Sequence, residues 1–292
     1  MAEGLFCVGQ TGFDRYIDKG VFALGGRYRE IMVNRGGTTG IFSSSVFRNG
    51  MQRTFLYASA LRKPIAYCRK DEIKMEKRYY QKEMETMPVE DIKKLQSEKL
   101  VKQVKHVYEN VPYYKNLMDE KGVTPDDIKG IEDLHKLPFL SKADLRDAYP
   151  YGLLAKPLNE CVRIHSTSGT TGRRVVAFYT QHDVDLWEEC CARAIVAAGG
   201  SNEDVLQVAY GYGLFTGGAG LHGGGHKVGC LSLRMSSGNT ERQIQFMMDL
   251  NSTILCCTPS YAAYMGESLK EQGYTPDKIP LKAGIFGAEA WT

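Results

Sequence analysis

The stretch Cys161-Val162-Arg163-Ile164-His165-Ser166-Thr167-Ser168-Gly169-Thr170-Thr171-Gly172-Arg173-Arg174 decides how this chain is read. A short strand-like run over 161–165 leads into a loop of hydroxyls and glycines. Glycines permit the tight turns that aim backbone N–H groups at one anion, and the hydroxyls add donors and a candidate Mg²⁺ ligand. Arg173 and Arg174 then place cations beside such an anion. A charge-assisted hydrogen bond contributes about 1.5–3 kcal/mol, so three or four would anchor a triphosphate firmly. The GxxxxGK[ST] spacing of a Walker loop is absent. A flexible Ser/Thr/Gly linker between two strands is the plain alternative for any such heptad. The strand-like run before the loop and the cations after it weigh against that alternative.

Working outward, 175–179 is a second strand candidate. A helix follows over 180–199, carrying Val184, Leu186, Trp187, Ala192, Ile195 and Val196. Short apolar runs recur at 205–209, 227–233, 253–257 and 283–286, with helical stretches at 241–250 and 261–272 separating some of them. This alternation predicts an α/β domain with a substantially parallel sheet. Upstream, Pro88 with Glu90 and Asp91 opens a helix whose positive end suits acidic residues. Ile92, Leu95, Leu100, Val101, Val104, Val107, Tyr108 and Val111 mark its apolar face, and Asn110 with Pro112 ends it. Shorter helical pieces follow at 114–121, 125–128 and 131–135. Ser141-Lys142-Ala143-Asp144 reads as an N-cap with its acidic partner, opening a helix to about 148.

A length of 292 residues, 43% hydrophobic and 24% charged, suffices for a sizeable core or two domains. The net charge of +3 is too small to imply nucleic acid or a membrane surface. Residues 1–74 hold 12 basic and 6 acidic residues, a net +6, whereas the remainder holds 25 and 28, a net −3. That basic segment is repeatedly interrupted by turn residues and shows no sustained period. A regular text begins at Met75-Glu76-Lys77-Arg78-Tyr79-Tyr80. Residues 1–74 therefore read as an extension outside the natural domain, such as translated upstream sequence. A small N-terminal extension of unfamiliar type is the alternative. Eight cysteines, Cys7, Cys68, Cys161, Cys190, Cys191, Cys230, Cys256 and Cys257, fit neither a disulfide framework nor a zinc knuckle, and read as reduced buried thiols. No apolar run reaches the roughly 20 residues of a membrane span, and no signal peptide is read, so a cytoplasmic location is expected.

With the loop and its surroundings quoted, the chain from about Met75 to Thr292 resembles the N-terminal half of phenylacetate–CoA ligases. These belong to the adenylate-forming superfamily that includes acyl-CoA synthetases and luciferases. The resemblance is carried by Tyr108-Glu109-Asn110-Val111-Pro112-Tyr113-Tyr114, by the loop, by Ala209-Tyr210-Gly211-Tyr212-Gly213-Leu214-Phe215-Thr216-Gly217-Gly218, and by Ile285-Phe286-Gly287-Ala288-Glu289-Ala290-Trp291-Thr292. The segments 237–243 and 257–261 support them. The order and spacing of these stretches give the family, where the loop alone gives only the superfamily.

The resemblance implies the large N-terminal domain of an adenylate-forming enzyme, with mixed sheets flanked by helices. It implies that Ser166, Thr167, Ser168, Gly169, Thr170, Thr171, Gly172 and Arg173 hold ATP phosphates and that Gly287, Ala288 and Glu289 pack on adenine. Tyr210, Tyr212, Gly213, Phe215 and Gly217 would line the aryl-acid pocket. Glycine allows close approach by a flat ligand, and aromatics wall it. A strand-to-helix turn whose aromatics simply fill the core is the competing reading. Two departures stand out: Ala290 replaces a usual proline, and Arg173-Arg174 replaces a usual lysine and proline. His222 and His226 have a metal-compatible spacing, but Gly223-Gly224-Gly225 disfavours the helix it needs, and no metal site is assigned. His165 reads either as a substrate contact or as a satisfied strand-end histidine.

The implied reaction has two steps: a carboxylate attacks the α-phosphate of MgATP, and coenzyme A then displaces AMP from the acyl-adenylate. Phenylacetate leads among aryl acids, ATP, Mg²⁺ and coenzyme A are the implied cofactors, and a homodimer is implied for the full-length family. The later Mg²⁺ motif, the ribose aspartate and the C-terminal lid with its lysine, which the resemblance leads one to expect, are absent from the sequence up to Thr292. The chain is therefore expected to be a fragment, unable to complete catalysis alone. A deazaflavin-adenylylating synthetase of the same family is the second enzymatic reading. A non-catalytic nucleotide-binding or structural remnant is the third.

Overall fold

The computed structural model describes residues 57–59, 79–167 and 174–290. The chain divides into two compact units. Of the described residues, 86–167, 174–187 and 213–216 form the first, and 57–59, 79–85, 188–212 and 217–290 form the second.

In the first unit, α2 (Val89–Asn110) and α3 (Pro112–Glu120) follow a one-turn helix, α1 (Lys82–Glu85), that belongs to the second. The apolar face expected of α2 is the one it buries, through Ile92, Leu100, Val104 and Val107. Pro112 ends the run because its ring cannot continue a helix, yet its fixed φ suits the first turn of α3. Leu100, Val104, Met118, Ile128 and Leu137 close one core. Val107, Val111, Tyr114, Leu153, Ala155 and Phe178 close another. The capping reading at Ser141 holds: α4 (Lys142–Asp147) starts with Ser141 and Asp144 capping each other reciprocally. Strands β2 (Cys161–Ser166) and β3 (Val176–Thr180) pair antiparallel, with Ser166 opposite Val176. They form a two-stranded sheet of their own, outside the parallel sheet. Helix α5 (Gln181–Ala197) follows β3, and the unit boundary falls within it.

The second unit is a five-stranded sheet in the order β1-β7-β6-β4-β5. Strands β4 (Val205–Val208), β5 (Leu231–Arg234), β6 (Ile254–Cys257) and β7 (Ala283–Phe286) run parallel. Strand β1 (Tyr57–Ser59), from the basic segment 1–74, pairs antiparallel with β7 at one edge. Successive strand residues point to opposite faces, and here both faces are apolar. Leu206, Val208, Ile254, Cys256, Ala283 and Ile285 pack with Ile195 of α5 and Leu221 of α6 (Gly217–Val228). Leu255, Cys257 and Phe286 pack with Ile244 and Met247 of α7 (Thr240–Asp249) and with Met265 and Leu269 of α8 (Pro259–Glu271). This is the α/β layering expected from the alternation of runs. Among the described residues, no helix is long and apolar enough to cross a membrane.

One expectation fails. Gly223-Gly224-Gly225 is helical, inside α6. A Cβ at Gly224 would lie 2.5 Å from the Cys191 Cβ and 2.8 Å from the Ala192 backbone nitrogen. At Gly223 it would meet the Glu188 side chain, whose flexible end can shift, so the fixed contact is the one at Gly224. Helices α5 and α6 touch so closely that only glycine fits. The burial of both helices on one sheet face outweighs a propensity penalty of roughly 1 kcal/mol per glycine. The described cysteines are all free; Cys161 is half-buried and Cys190, Cys191, Cys230, Cys256 and Cys257 are buried. Burial pushes the Cys230 thiol up to about 11 and the Cys257 thiol up to about 12, which keeps both protonated and inert.

Candidate functional site

The chain passes from β4 through α6 to β5 on one side, then returns through α7 to β6 on the other side of β4. Connections therefore diverge from the β4–β6 pair, on opposite faces of the sheet. In open α/β sheets, ligands bind outside the carboxyl ends of strands at such a switch point. A cleft of about 380 Å³ opens there. Ala209, Tyr210 and Gly211 line it after β4, Ser237 after β5, and Thr258, Ser260, Tyr261 and Tyr264 after β6. Three tyrosine rings, two serines and a threonine suit a flat ligand with polar edges.

The walls are braced from behind. The Tyr210 hydroxyl donates to the carbonyls of Cys257 and Gly287, tying together the ends of β6 and β7. Burial pushes its ionisation far above the ordinary tyrosine value, so it stays a donor. Buried Gln207 of β4 donates to the carbonyl and the side-chain oxygen of Gln243 on α7. Gln243 in turn donates to the Ser236 carbonyl, which fixes the loop presenting Ser237. Ser236, Gly238 and Asn239 all sit at positive φ in that loop. At the start of α8, Thr258 is the N-cap and accepts from the Tyr261 amide, while Pro259 occupies the first turn.

Gly287-Ala288-Glu289 follows β7 and is bonded to two residues that line the cleft, Tyr210 and Ser260. Gly287 is buried and Ala288 is exposed at φ 74, a left-handed conformation that costs an alanine energy. Glu289 holds the turn: its carboxylate accepts from the Ser260 amide at 2.9 Å and the Ser260 hydroxyl at 2.8 Å. These bonds hold the Glu289 carboxyl below the usual glutamate range. A depressed folded-state value means that the stabilisation is present above the ordinary glutamate range and is lost as pH falls through the folded value. Glu289→Gln is therefore expected to weaken ligand binding in the cleft about tenfold at pH 7, through loss of charge-assisted bonds. Titrations of wild type at descending pH should fall toward the variant, and identical affinities at pH 7 would refute the staple.

The other expected residues are less gathered. Ser168, Gly169, Thr170, Thr171, Gly172 and Arg173 lie outside the described residues. Below them the hairpin is closed: the Thr167 amide donates to the Val175 carbonyl, and the Val175 amide donates to the Thr167 hydroxyl at 3.1 Å. The Ser166 hydroxyl donates to the Thr167 carbonyl. Of the expected pocket residues, Tyr210 lines the cleft, whereas Gly213 and the exposed Phe215 belong to the first unit. Tyr212 packs under the Arg234 guanidinium, 5.3 Å from its ring centroid, with His222 at its edge. Gly217 begins α6 beside the Tyr210 ring. His222 and His226 meet edge-on at 4.3 Å on the helix that the sequence argued against, and no third ligand joins them among the described residues. Tyr264 and the buried Gln207–Gln243 pair had no sequence signal. Their roles arise from strand order.

No protein-family model matches the chain. A phenylacetate-coenzyme A ligase of Thermus thermophilus is 46% identical over 213 residues, which is 73% of this chain and 48% of that protein. A phenylacetate-coenzyme A ligase of Pseudomonas putida is 47% identical over 209 residues, covering 72% of this chain and 48% of the relative. A crystal structure of 2-hydroxyisobutyryl-CoA ligase, in complex with 2-HIB-AMP and CoA, matches with a TM-score of 0.65 at 27% identity. That match covers 70% of this chain and 44% of the other. The chain thus spans about half the length of the curated relatives it matches. By sequence the matched part of the chain is similar to phenylacetate-coenzyme A ligases, and by fold to a CoA ligase solved with 2-HIB-AMP and CoA.

Proposed function

We propose that this chain carries the nucleotide-binding part of an aryl-acetate–CoA ligase. The observation that carries the reading is the switch-point cleft whose Tyr210 and Ser260 are bonded to Gly287 and Glu289 of the Gly-Ala-Glu segment. In this reading the adenine ring lies among Tyr210, Tyr261 and Tyr264, and backbone groups of that segment meet its edges. Glu289 keeps the segment in place through Ser260. Ser166, Thr167, Ser168, Gly169, Thr170, Thr171, Gly172 and Arg173 hold the phosphates, with Thr167 also closing the base of their loop. The aryl acid, phenylacetate first among them, is taken in the second unit by Tyr210, Tyr212 and Gly217.

The chemistry is positioning and charge stabilisation. A carboxylate oxygen attacks the α-phosphorus and pyrophosphate leaves; the sulfur of coenzyme A, having lost its proton, then attacks the acyl carbon of the adenylate and AMP leaves. The residues named above orient the nucleotide and stabilise charge on its phosphates. Among the described residues, no group of three or more His, Cys, Asp and Glu side chains converges to hold a metal ion, so Mg²⁺ is given no ligands here. We propose further that the ligase-like part begins near Met75.

Equilibrium titration of MgATP into the 292-residue chain tests this reading. One saturable site is expected, weakened at least tenfold by Thr170→Val with Thr171→Val through loss of hydroxyl donors. Absence of any binding would instead favour a structural remnant. Substrate profiling separates an aryl acid from a deazaflavin coenzyme.

A further inference from the structure

We infer that His165 is a positioning residue that latches the entry of the Ser/Thr/Gly loop to the segment 213–216 through one shared acceptor, the carbonyl of Leu214. Its functional weight rests on the phosphate-binding reading of that loop. His165 is the penultimate residue of β2 and only 6% exposed. Its Nδ1 lies 3.0 Å from the Leu214 carbonyl oxygen, and the amide of the next residue, Ser166, donates to the same oxygen at 2.9 Å. Two donors from consecutive residues therefore converge on a carbonyl 49 positions later in the chain.

The geometry fixes the tautomer. A carbonyl oxygen only accepts, so the proton must sit on Nδ1. Nε2 is then an acceptor, and it is buried with no hydrogen-bond partner among the described residues. Two aromatic rings pack against the imidazole. Tyr179 and Trp187 both meet it edge-on at 5.3 Å, at 90° and 84°. Arg163, on the same strand, lies over the Trp187 ring at 5.6 Å. Burial lowers the readiness of His165 to gain a second proton, which keeps the imidazole neutral with its proton on Nδ1. A phenyl ring would fill the same place without leaving a buried nitrogen unpaired. The bond to Leu214 is what an imidazole supplies there and a hydrocarbon cannot.

The consequence concerns two stretches that the sequence treats as separate. Ser166 opens the phosphate loop, and Gly213 and Phe215 flank Leu214 in the stretch expected to meet the acid. A single carbonyl holds the two together within the first unit.

Hydrogen–deuterium exchange of the full 292-residue chain tests the latch. In His165→Phe, peptides containing 165–167 and 213–216 should exchange about tenfold faster, while peptides from α7 and α8 are unchanged. His165→Asn places an amide nitrogen near the Nδ1 position and should restore slow exchange. His165→Gln reaches instead toward the Nε2 position and should not. If His165→Phe exchanges faster everywhere because it fails to fold, the order of Asn and Gln still decides. The reverse order, or unchanged exchange at 165–167 and 213–216 in His165→Phe, overturns the latch. MgATP titrations of the same variants separate the two claims. Weaker binding in Phe and Gln but not Asn is expected. No binding by wild type would sink the phosphate reading while leaving the exchange result to judge the latch.

Discussion

Gly224→Ala is expected to destabilise the second unit by about 2 kcal/mol, lowering its melting temperature by roughly 4–8 °C. Two effects compete. Alanine gains about 1 kcal/mol over glycine as a helix former. Against that, the new methyl lies 2.5 Å from the Cys191 Cβ and 2.8 Å from the backbone of Ala192. Backbone cannot step aside as a flexible side chain can, so α5 and α6 must part, and overpacking of this kind costs about 3 kcal/mol. Gly266 in α8 supplies the opposite case, because a Cβ there meets nothing within 4 Å. Gly266→Ala is expected to stabilise by about 1 kcal/mol. Thermal melts of the two variants should therefore move in opposite directions. A neutral or stabilising Gly224→Ala would contradict the close packing of these helices.

The second large effect lies at the opposite end of the sheet from the cleft. Asp204 is 3% exposed and sits just before β4. Its carboxylate accepts from the Ser201 amide at 2.8 Å, from the Thr253 hydroxyl at 2.7 Å and from the Lys282 ammonium. Thr253 and Lys282 immediately precede β6 and β7, so one carboxylate before β4 gathers the amino ends of three parallel strands. Burial alone would push this carboxyl up. The bonds from Lys282, Thr253 and Ser201 overcome it and hold the group below the usual aspartate range. Asp204→Ala leaves those donors unpaired and is expected to cost about 3 kcal/mol. Because the folded-state value is depressed, this stability is present above the ordinary aspartate value and drains as pH falls through the folded one. Urea midpoints at pH 7 and pH 3 should show the gap between wild type and variant shrinking with acid. Ligand binding in the cleft, at the other strand ends, should be little changed in whatever fraction is folded.

These two residues also mark where sequence reading succeeds and where it stops. Local signals are legible: the Ser141–Asp144 cap, the apolar face of α2 and the run at 283–286 all stand where the sequence puts them. Each depends on residues within a few positions of one another. The helix through Gly223–Gly225 was not legible, because its cause is the backbone of α5 some thirty residues earlier. Asp204 reads as one more acidic loop residue until β6 and β7 bring Thr253 and Lys282 to it. The site divides in the same way. Gly287, Ala288 and Glu289 were visible as a motif after a strand, but the Ser260 that anchors Glu289 was not. Tyr264 enters the cleft only because β6 lies beside β4 rather than beside β5.

Strand order, then, is what converts separate segments into a cleft, and the cleft is the centre of the functional account. Photolabelling with 8-azido-ATP, followed by peptide mapping, reads its occupant most directly. Adducts are expected on peptides containing Tyr210, Tyr261 or Tyr264, suppressed by excess ATP. Adducts that fall elsewhere, or that excess ATP does not suppress, would contradict the nucleotide reading of the cleft.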